Sequence, residues 1–135
     1  MIINFSRWFA VIAGILAPLG ETIRRWSTWQ QSPANLFDDY IMAAFLLYAG
    51  WRTGKDVQSG QRYLSAAWAF ACGLGYYSFF GQLNSLRSGE IDPAPIASEW
   101  VLVIKGIAVT LAIIALVLSL RRLPETEQLN DSKYD

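Results

Sequence analysis

A long apolar run near the carboxyl end of the sequence limits the folds that this chain can adopt. Residues 100–120 read WVLVIKGIAVTLAIIALVLSL, with Glu99 before the run and Arg121 after it. As a helix the run is about 30 Å long, which matches the hydrocarbon thickness of a bilayer. One charge, Lys105, lies inside it, and a charge at that depth costs at least about 2.5 kcal/mol of insertion free energy. The run therefore predicts an integral membrane protein in which Lys105 has a partner or a function.

The composition argues against several classes of function. The chain has 135 residues with no histidine and one cysteine, Cys72, so we expect no metal, no haem or other cofactor, and no intrachain disulfide. Its formal net charge is zero, so we expect no nucleic-acid partner, because domains that bind nucleic acids usually carry a basic excess. An enzyme that acts on lipid is also disfavoured, because Asp38 and Asp39 are adjacent and would point about 100° apart on a helix. We expect a protein that is not an enzyme.

Three further apolar segments complete the predicted fold, which is an all-α, integral membrane four-helix bundle. The predicted spans are residues 5–23, 33–52, 62–83 and 98–120. They form one transmembrane domain over residues 1–123, followed by a polar C-terminal tail over residues 124–135.

Local signals set the predicted ends of these spans. We interpret the first segment as a span rather than a signal peptide, because Pro18 directly follows Ala17 and no convincing small-x-small cleavage site is present. Ser32 and Ser98 are predicted N-cap residues. The polar residues 53–61, TGKDVQSGQ, are predicted to form the loop between the second and third spans.

The distribution of basic residues predicts the orientation in the membrane. Both termini and the middle loop carry seven Lys and Arg residues, whereas the other two loops carry three. Because cytoplasmic loops are enriched in Lys and Arg, both termini are predicted to be cytoplasmic. The size and the short loops favour a bacterial inner membrane.

Small residues recur at helical spacing along the predicted spans and indicate where the helices pack. In lipid, helices associate by close packing, which small residues permit. The opposite side of the last span is rich in branched aliphatic residues, so Lys105 is expected to face the bundle. The small residues are Ala10, Ala13, Gly14 and Ala17 in the first span, Ala43 and Gly50 in the second, Ala67, Ala71, Gly75 and Ser78 in the third, and Ala108, Ala112, Ala115 and Ser119 in the fourth.

Polar residues are predicted to converge in the outer half of the bundle. Asp39 lies about 9 Å inside the start of its span and Lys105 about 10 Å inside its own, so Asp38 or Asp39 is expected to pair with Lys105. The first and third spans end on the same side. The candidate ligand-binding residues are Asp38, Asp39, Lys105, Glu21, Arg24 and Gln82, with Tyr40, Tyr76 and Trp100 as aromatic walls.

Each of these features also has a structural interpretation. The Asp–Lys pair is also consistent with a neutralised pair that fixes helix register, and Asp38 with an interfacial residue near a helix start. The tryptophans and tyrosines are consistent with anchors at the membrane interface. Arg24 is then an outer-surface charge next to lipid headgroups.

Two functions fit this pattern. The first is a small polytopic membrane protein whose outward-facing polar and aromatic cavity binds or transports a small amphipathic ligand. The alternative is a non-catalytic subunit or assembly factor of a larger membrane complex. The expected partners are membrane lipids, a small amphipathic ligand, and further copies of the chain in a homo-oligomer or a membrane-complex partner.

Overall fold

The computed structural model describes residues 2–24, 26, 33–90 and 96–121, and within them every regular element is an α-helix. The helices are α1 (Ile2–Arg24), α2 (Pro33–Lys55), α3 (Val57–Ser88) and α4 (Ser98–Leu120). Each predicted span lies within one of them, so the all-α, four-helix prediction is confirmed. The predicted N-cap at Ser32 and the tail at 124–135 lie outside the described residues.

The four helices run alternately up and down. α1 packs against α2, α2 against α3, and α3 against α4, and α1 also contacts α4. Carboxyl-terminal ends of α1 and α3 meet amino-terminal ends of α2 and α4 at one end, which we call the Gln82 end. The opposite end, where Arg7 of α1 contacts Gly50 of α2, is the Arg7 end.

The predicted loop over residues 53–61 is wrong. α2 continues to Lys55 and α3 begins at Val57, so Asp56 alone separates the two helices. Asp56 is the N-cap of α3: its carboxylate accepts hydrogen bonds from the backbone N–H groups of Gln58 and Ser59. The Ser59 side chain and its backbone N–H lower the pKa of Asp56 below its usual value. A polar segment with a strong N-cap residue can thus form the end of one helix and the start of the next, with a sharp turn between them.

Close packing of the backbone completes this turn. A Cβ atom added to Gly60 in the first turns of α3 would lie 2.5 Å from the backbone nitrogen of Thr53 in α2, and closer still to its Cα atom. Glycine at this position lets the two helix backbones touch directly.

The other helix ends differ from the prediction in one respect. α3 ends at Ser88 and is followed by Gly89, whose φ of 75° is left-handed, and the backbone N–H of Glu90 donates to the Ser85 carbonyl. This arrangement is a glycine C-cap. The predicted N-cap of α4 is wrong by one residue: Ala97 occupies that position without a side-chain hydrogen bond, and Ser98 is already helical.

Small and polar side chains fill the interior of the bundle. Ser6 and Ser119 are fully buried, and Thr53 and Gln82 are nearly so. The predicted small residues are buried or half-buried, except Ala108, which is exposed. The buried apolar residues are mostly alanines, together with Leu46, Leu64, Trp68, Ile3 and Val101.

Large apolar side chains instead cover the outside. In α4 the exposed set includes Val103, Ile107, Leu111 and Ile114. Soluble proteins rarely expose continuous apolar surface of this extent. By length and composition, α1 and α4 are candidates for crossing a membrane, and only 17% of the apolar window of α4 is buried within the bundle.

Buried hydroxyl groups connect helices near the Arg7 end. The Ser6 hydroxyl donates to the Ala115 carbonyl at 3.0 Å, joining α1 to α4. The hydroxyl groups of Ser65 and Ser119 lie 3.0 Å apart, joining α3 to α4. The Gln61 amide donates to the Ser119 carbonyl at 2.7 Å, so polar contacts replace large apolar side chains at these crossings.

Candidate functional site

A group of four polar side chains from three helices lies at the Gln82 end; we call it the Gln82 cluster, formed by Glu21, Arg24, Gln82 and Lys105. At its centre, the Gln82 amide oxygen accepts hydrogen bonds from Arg24 Nη2 at 3.2 Å and from Lys105 Nζ at 3.3 Å. Gln82 is only 5% exposed. One neutral acceptor in α3 therefore lies between two cations, one from α1 and one from α4.

Glu21 supplies the negative charge of the cluster. Arg24 Nη1 contacts both carboxylate oxygens of Glu21 at 2.9 Å, one helical turn apart on α1. The side chains of Arg24 and Glu21 are 15% and 18% exposed, so water and salt screen this pair less than a surface ion pair. The carboxylate also holds the guanidinium group in position above Gln82.

Helical periodicity places these residues on inner faces. Gln82 continues the series Ala71, Gly75 and Ser78 along α3, and Lys105 follows the buried Val101 by one turn of α4. A Cβ atom on Gly75 would lie 2.9 Å from the Val109 side chain, so α3 and α4 approach closely two turns from Gln82 and one turn from Lys105. This approach brings the Lys105 ammonium within reach of α3.

Thr22 joins α1 to α2 beside the cluster, a contact that the sequence reasoning missed. Its hydroxyl lies 3.0 Å from the Tyr40 hydroxyl and donates to the Pro18 carbonyl at 2.6 Å. The available signal was the position of Thr22 between Glu21 and Arg24. A threonine in a helix usually bonds to its own backbone, as Thr22 also does, so its position alone does not indicate a contact with another helix.

The remaining predicted site residues are not all directed into the bundle. Tyr76 and Trp100 are 61% and 64% exposed, and Tyr76 packs against Phe80 with ring centroids 4.6 Å apart. This exposure is typical of membrane-interface anchors, the alternative interpretation of these aromatics. Asp38 is exposed and Asp39 is half-buried. The pairing of Asp39 with Lys105 stays a prediction.

A second feature is an apolar groove on the side of the bundle, with a volume of about 470 Å³. Phe79 of α3 forms one wall, and α4 forms the other with Leu102, Gly106 and Thr110 among its residues. The groove opens between α3 and α4 along the side of the bundle rather than at one of its ends. Among the described residues, no group of three or more His, Cys, Asp and Glu side chains could hold a metal ion.

The Gln82 cluster presents hydrogen-bond donors that match a negatively charged group. Arg24 and Lys105 supply charge-assisted hydrogen-bond donors, and a ligand carboxylate or phosphate that displaced the Gln82 amide would accept stronger hydrogen bonds than the amide does. Comparison of the chain with family models, curated proteins and solved structures gave no match.

Proposed function

We propose that this chain is a four-span membrane protein that binds a small amphipathic ligand at the Gln82 cluster. The observation that carries the proposal is the convergence of Arg24 and Lys105 on the amide of Gln82 at one end of an otherwise apolar bundle. Charged residues at such positions are expensive in a membrane and usually mark a ligand or ion site. The polar end of the ligand would contact the two cations.

The proposal requires that α2 and α3 also cross the bilayer. At about 1.5 Å per residue, the 23 residues of α2 and the 32 residues of α3 are each longer than the hydrocarbon core. α3 carries no charged residue between Arg62 and Arg87, and α2 none between Asp39 and Arg52. Both helices expose large apolar side chains, including Phe45 and Phe70. The membrane that we propose is a bacterial inner membrane, with both termini in the cytoplasm.

Cysteine labelling tests whether α3 crosses. Gln58 and Ser88 are exposed at opposite ends of α3. In a Cys72→Ala background, a membrane-impermeant maleimide should label the Ser88→Cys variant from outside intact cells and should label Gln58→Cys only after the membrane is opened. Equal labelling of both variants from outside would contradict the four-span arrangement, and the reverse pattern would invert the proposed orientation.

Native mass spectrometry on the protein extracted gently from its own membrane tests ligand binding. We expect a reproducible small-molecule adduct whose occupancy falls at least tenfold in Lys105→Ala, because the ammonium would contact the polar end of the ligand. The control is Arg87→Gln, which removes an exposed cation from the same end of the bundle. An adduct that persists in Lys105→Ala would exclude the Gln82 cluster as its site.

The lateral groove supports a second candidate function, a non-catalytic subunit or assembly factor. An open apolar groove that contains Gly106 would accept bulky side chains from a partner helix, including a helix of a second copy. In the same mass spectra, a stoichiometric protein partner without a small-molecule adduct would favour this function.

A further inference from the structure

Arg7, near the start of α1, lies in a notch on α2 that two glycines create. Arg7 Nε donates to the Gly50 carbonyl at 3.2 Å. A Cβ atom on Gly54 would lie 2.5 Å from Arg7 Nη2, so any larger residue would displace the guanidinium group. Because Gly50 and Gly54 are four residues apart, they lie on one face of α2 and form a continuous surface for this side chain.

The terminal nitrogens of Arg7 are not used within the described part of the chain. There, its contacts are the Gly50 carbonyl, through Nε, and the Trp8 ring, whose centroid lies 5.2 Å from Cζ. Over residues 2–24, 33–90 and 96–121, Nη1 and Nη2 have no acceptor. A guanidinium group is always charged and presents these nitrogens as a planar fork that matches phosphate oxygens. The half-buried Nη1 and Nη2 groups can therefore donate hydrogen bonds to an anion.

The surroundings of Arg7 indicate which anion is available. Trp8, Trp51 and Tyr63 are exposed near the same end, and the Lys55 ammonium lies 4.3 Å from the centroid of the Trp51 ring. Exposed tryptophan and tyrosine side chains are typical of the headgroup level of a bilayer. Gly50 lies about 8 Å inside the end of α2, a depth at which a phospholipid phosphate can meet the guanidinium group.

The charge at this end is also suited to an anionic lipid. Among the described residues at the Arg7 end of α1, α2 and α3, four are basic and one, Asp56, is acidic. The basic residues are Arg7, Arg52, Lys55 and Arg62. Juxtamembrane basic residues attract anionic lipids.

We propose that Arg7, held in the notch of Gly50 and Gly54, binds the phosphodiester group of an anionic phospholipid. This inference rests on the membrane placement in the proposed function, but not on ligand binding at the Gln82 cluster, which lies at the other end of the bundle. The lipid phosphate would accept hydrogen bonds from Nη1 and Nη2 while Nε remains on the Gly50 carbonyl.

Lipid titration of the full chain in mixed micelles tests the proposal. Phosphatidylglycerol should raise the midpoint of thermal unfolding and appear as a bound lipid in native mass spectra. Phosphatidylcholine, whose phosphodiester is neutralised by its own ammonium group, and inorganic phosphate, which has no acyl chains, should do neither. Arg7→Gln should weaken phosphatidylglycerol binding at least tenfold. Arg7→Lys should retain only part of it, because an ammonium group lacks the planar fork.

Arg62→Gln is the matched control, since it removes an exposed cation from the same end. Equal losses in Arg62→Gln and Arg7→Gln would mean nonspecific attraction to anionic lipid and would overturn the proposal, as would a wild-type protein that does not prefer phosphatidylglycerol. The wild-type comparison holds even if Arg7→Gln fails to fold. Extraction by alkaline carbonate, measured first, would overturn this proposal and the proposed function together, whereas failure of lipid preference alone leaves the Gln82 cluster unaffected.

Discussion

Gly60→Ala should lower the free energy of unfolding by about 2 to 3 kcal/mol, the largest effect expected of a glycine-to-alanine substitution in this chain. The added Cβ atom would meet backbone atoms of Thr53, and no rotamer change can move them away. α2 and α3 would therefore have to separate beside the one-residue turn at Asp56. This loss should exceed the gain of up to about 1 kcal/mol that alanine brings as a better helix former.

The matched control lies in the same helix. Gly73 has nothing within 4 Å of the position of an added Cβ atom. Gly73→Ala should therefore leave stability unchanged or raise it by up to about 1 kcal/mol. Unfolding in mixed micelles with increasing dodecyl sulfate gives both values under one condition. If the two variants were equally stable, α2 and α3 would not make the close contact at Gly60.

α1 and α4 could be predicted from the sequence because each is long and apolar enough to cross a bilayer. α2 and α3 could be predicted because apolar residues recur along them between polar segments. The turn at Asp56 could not be predicted in the same way. Residues 53–61 are polar, and polarity indicates exposure rather than the absence of a helix. The side-chain cap at Asp56 and the packing of Gly60 on Thr53 together permit a turn of one residue. The second of these depends on how α2 and α3 pack, which a pattern of residue types does not specify.

The Gln82 cluster could be anticipated in part from depth alone. Glu21 and Arg24 end one helix, Gln82 lies near the end of another, and Lys105 lies two turns inside a third, so alternating helices bring them to one level. Depth does not specify which face of a helix a residue occupies. Tyr76 precedes Gln82 by six residues, or about 600° of helical rotation, which places it on a different face. The angular position around the helix, considered together with depth, places Tyr76 and Gln82 on different faces of α3.

The Arg7 notch could not be recognised from either segment by itself. Arg7 reads as an ordinary basic residue near a membrane end, and Gly50 and Gly54 read as small packing residues. Their significance arises from the antiparallel contact of α1 with α2, which places the guanidinium group over both glycines. A long-range pairing of this kind depends on helix register, which the sequence alone leaves open.

The shared acceptor in the Gln82 cluster leads to the second large effect. Gln82→Leu should lower the free energy of unfolding by about 2 kcal/mol, because hydrogen bonds to charged groups contribute about 1.5 to 3 kcal/mol each and leucine recovers part of the loss through apolar packing. Asn84→Leu is the control, because it changes an exposed amide two residues further along the same helix. It should alter stability by less than about 0.5 kcal/mol.

A double-mutant cycle then shows whether Lys105 and Gln82 depend on each other. Lys105→Met removes the ammonium group but keeps an unbranched apolar chain of similar length. If the hydrogen bond at 3.3 Å contributes to stability, the combined variant should lose at least about 1 kcal/mol less than the sum of the two single losses. Additive losses would mean that the contact contributes nothing to stability.

The size of this coupling also bears on why an apolar helix carries Lys105. Strong coupling, with ligand binding intact in Lys105→Met, would indicate that the charge fixes the register of α3 against α4. Loss of the small-molecule adduct in Lys105→Met, whatever the size of the coupling, would mean that the ammonium group contacts the ligand. In that case the insertion cost of Lys105 is balanced at least in part by ligand binding, as the proposed function requires.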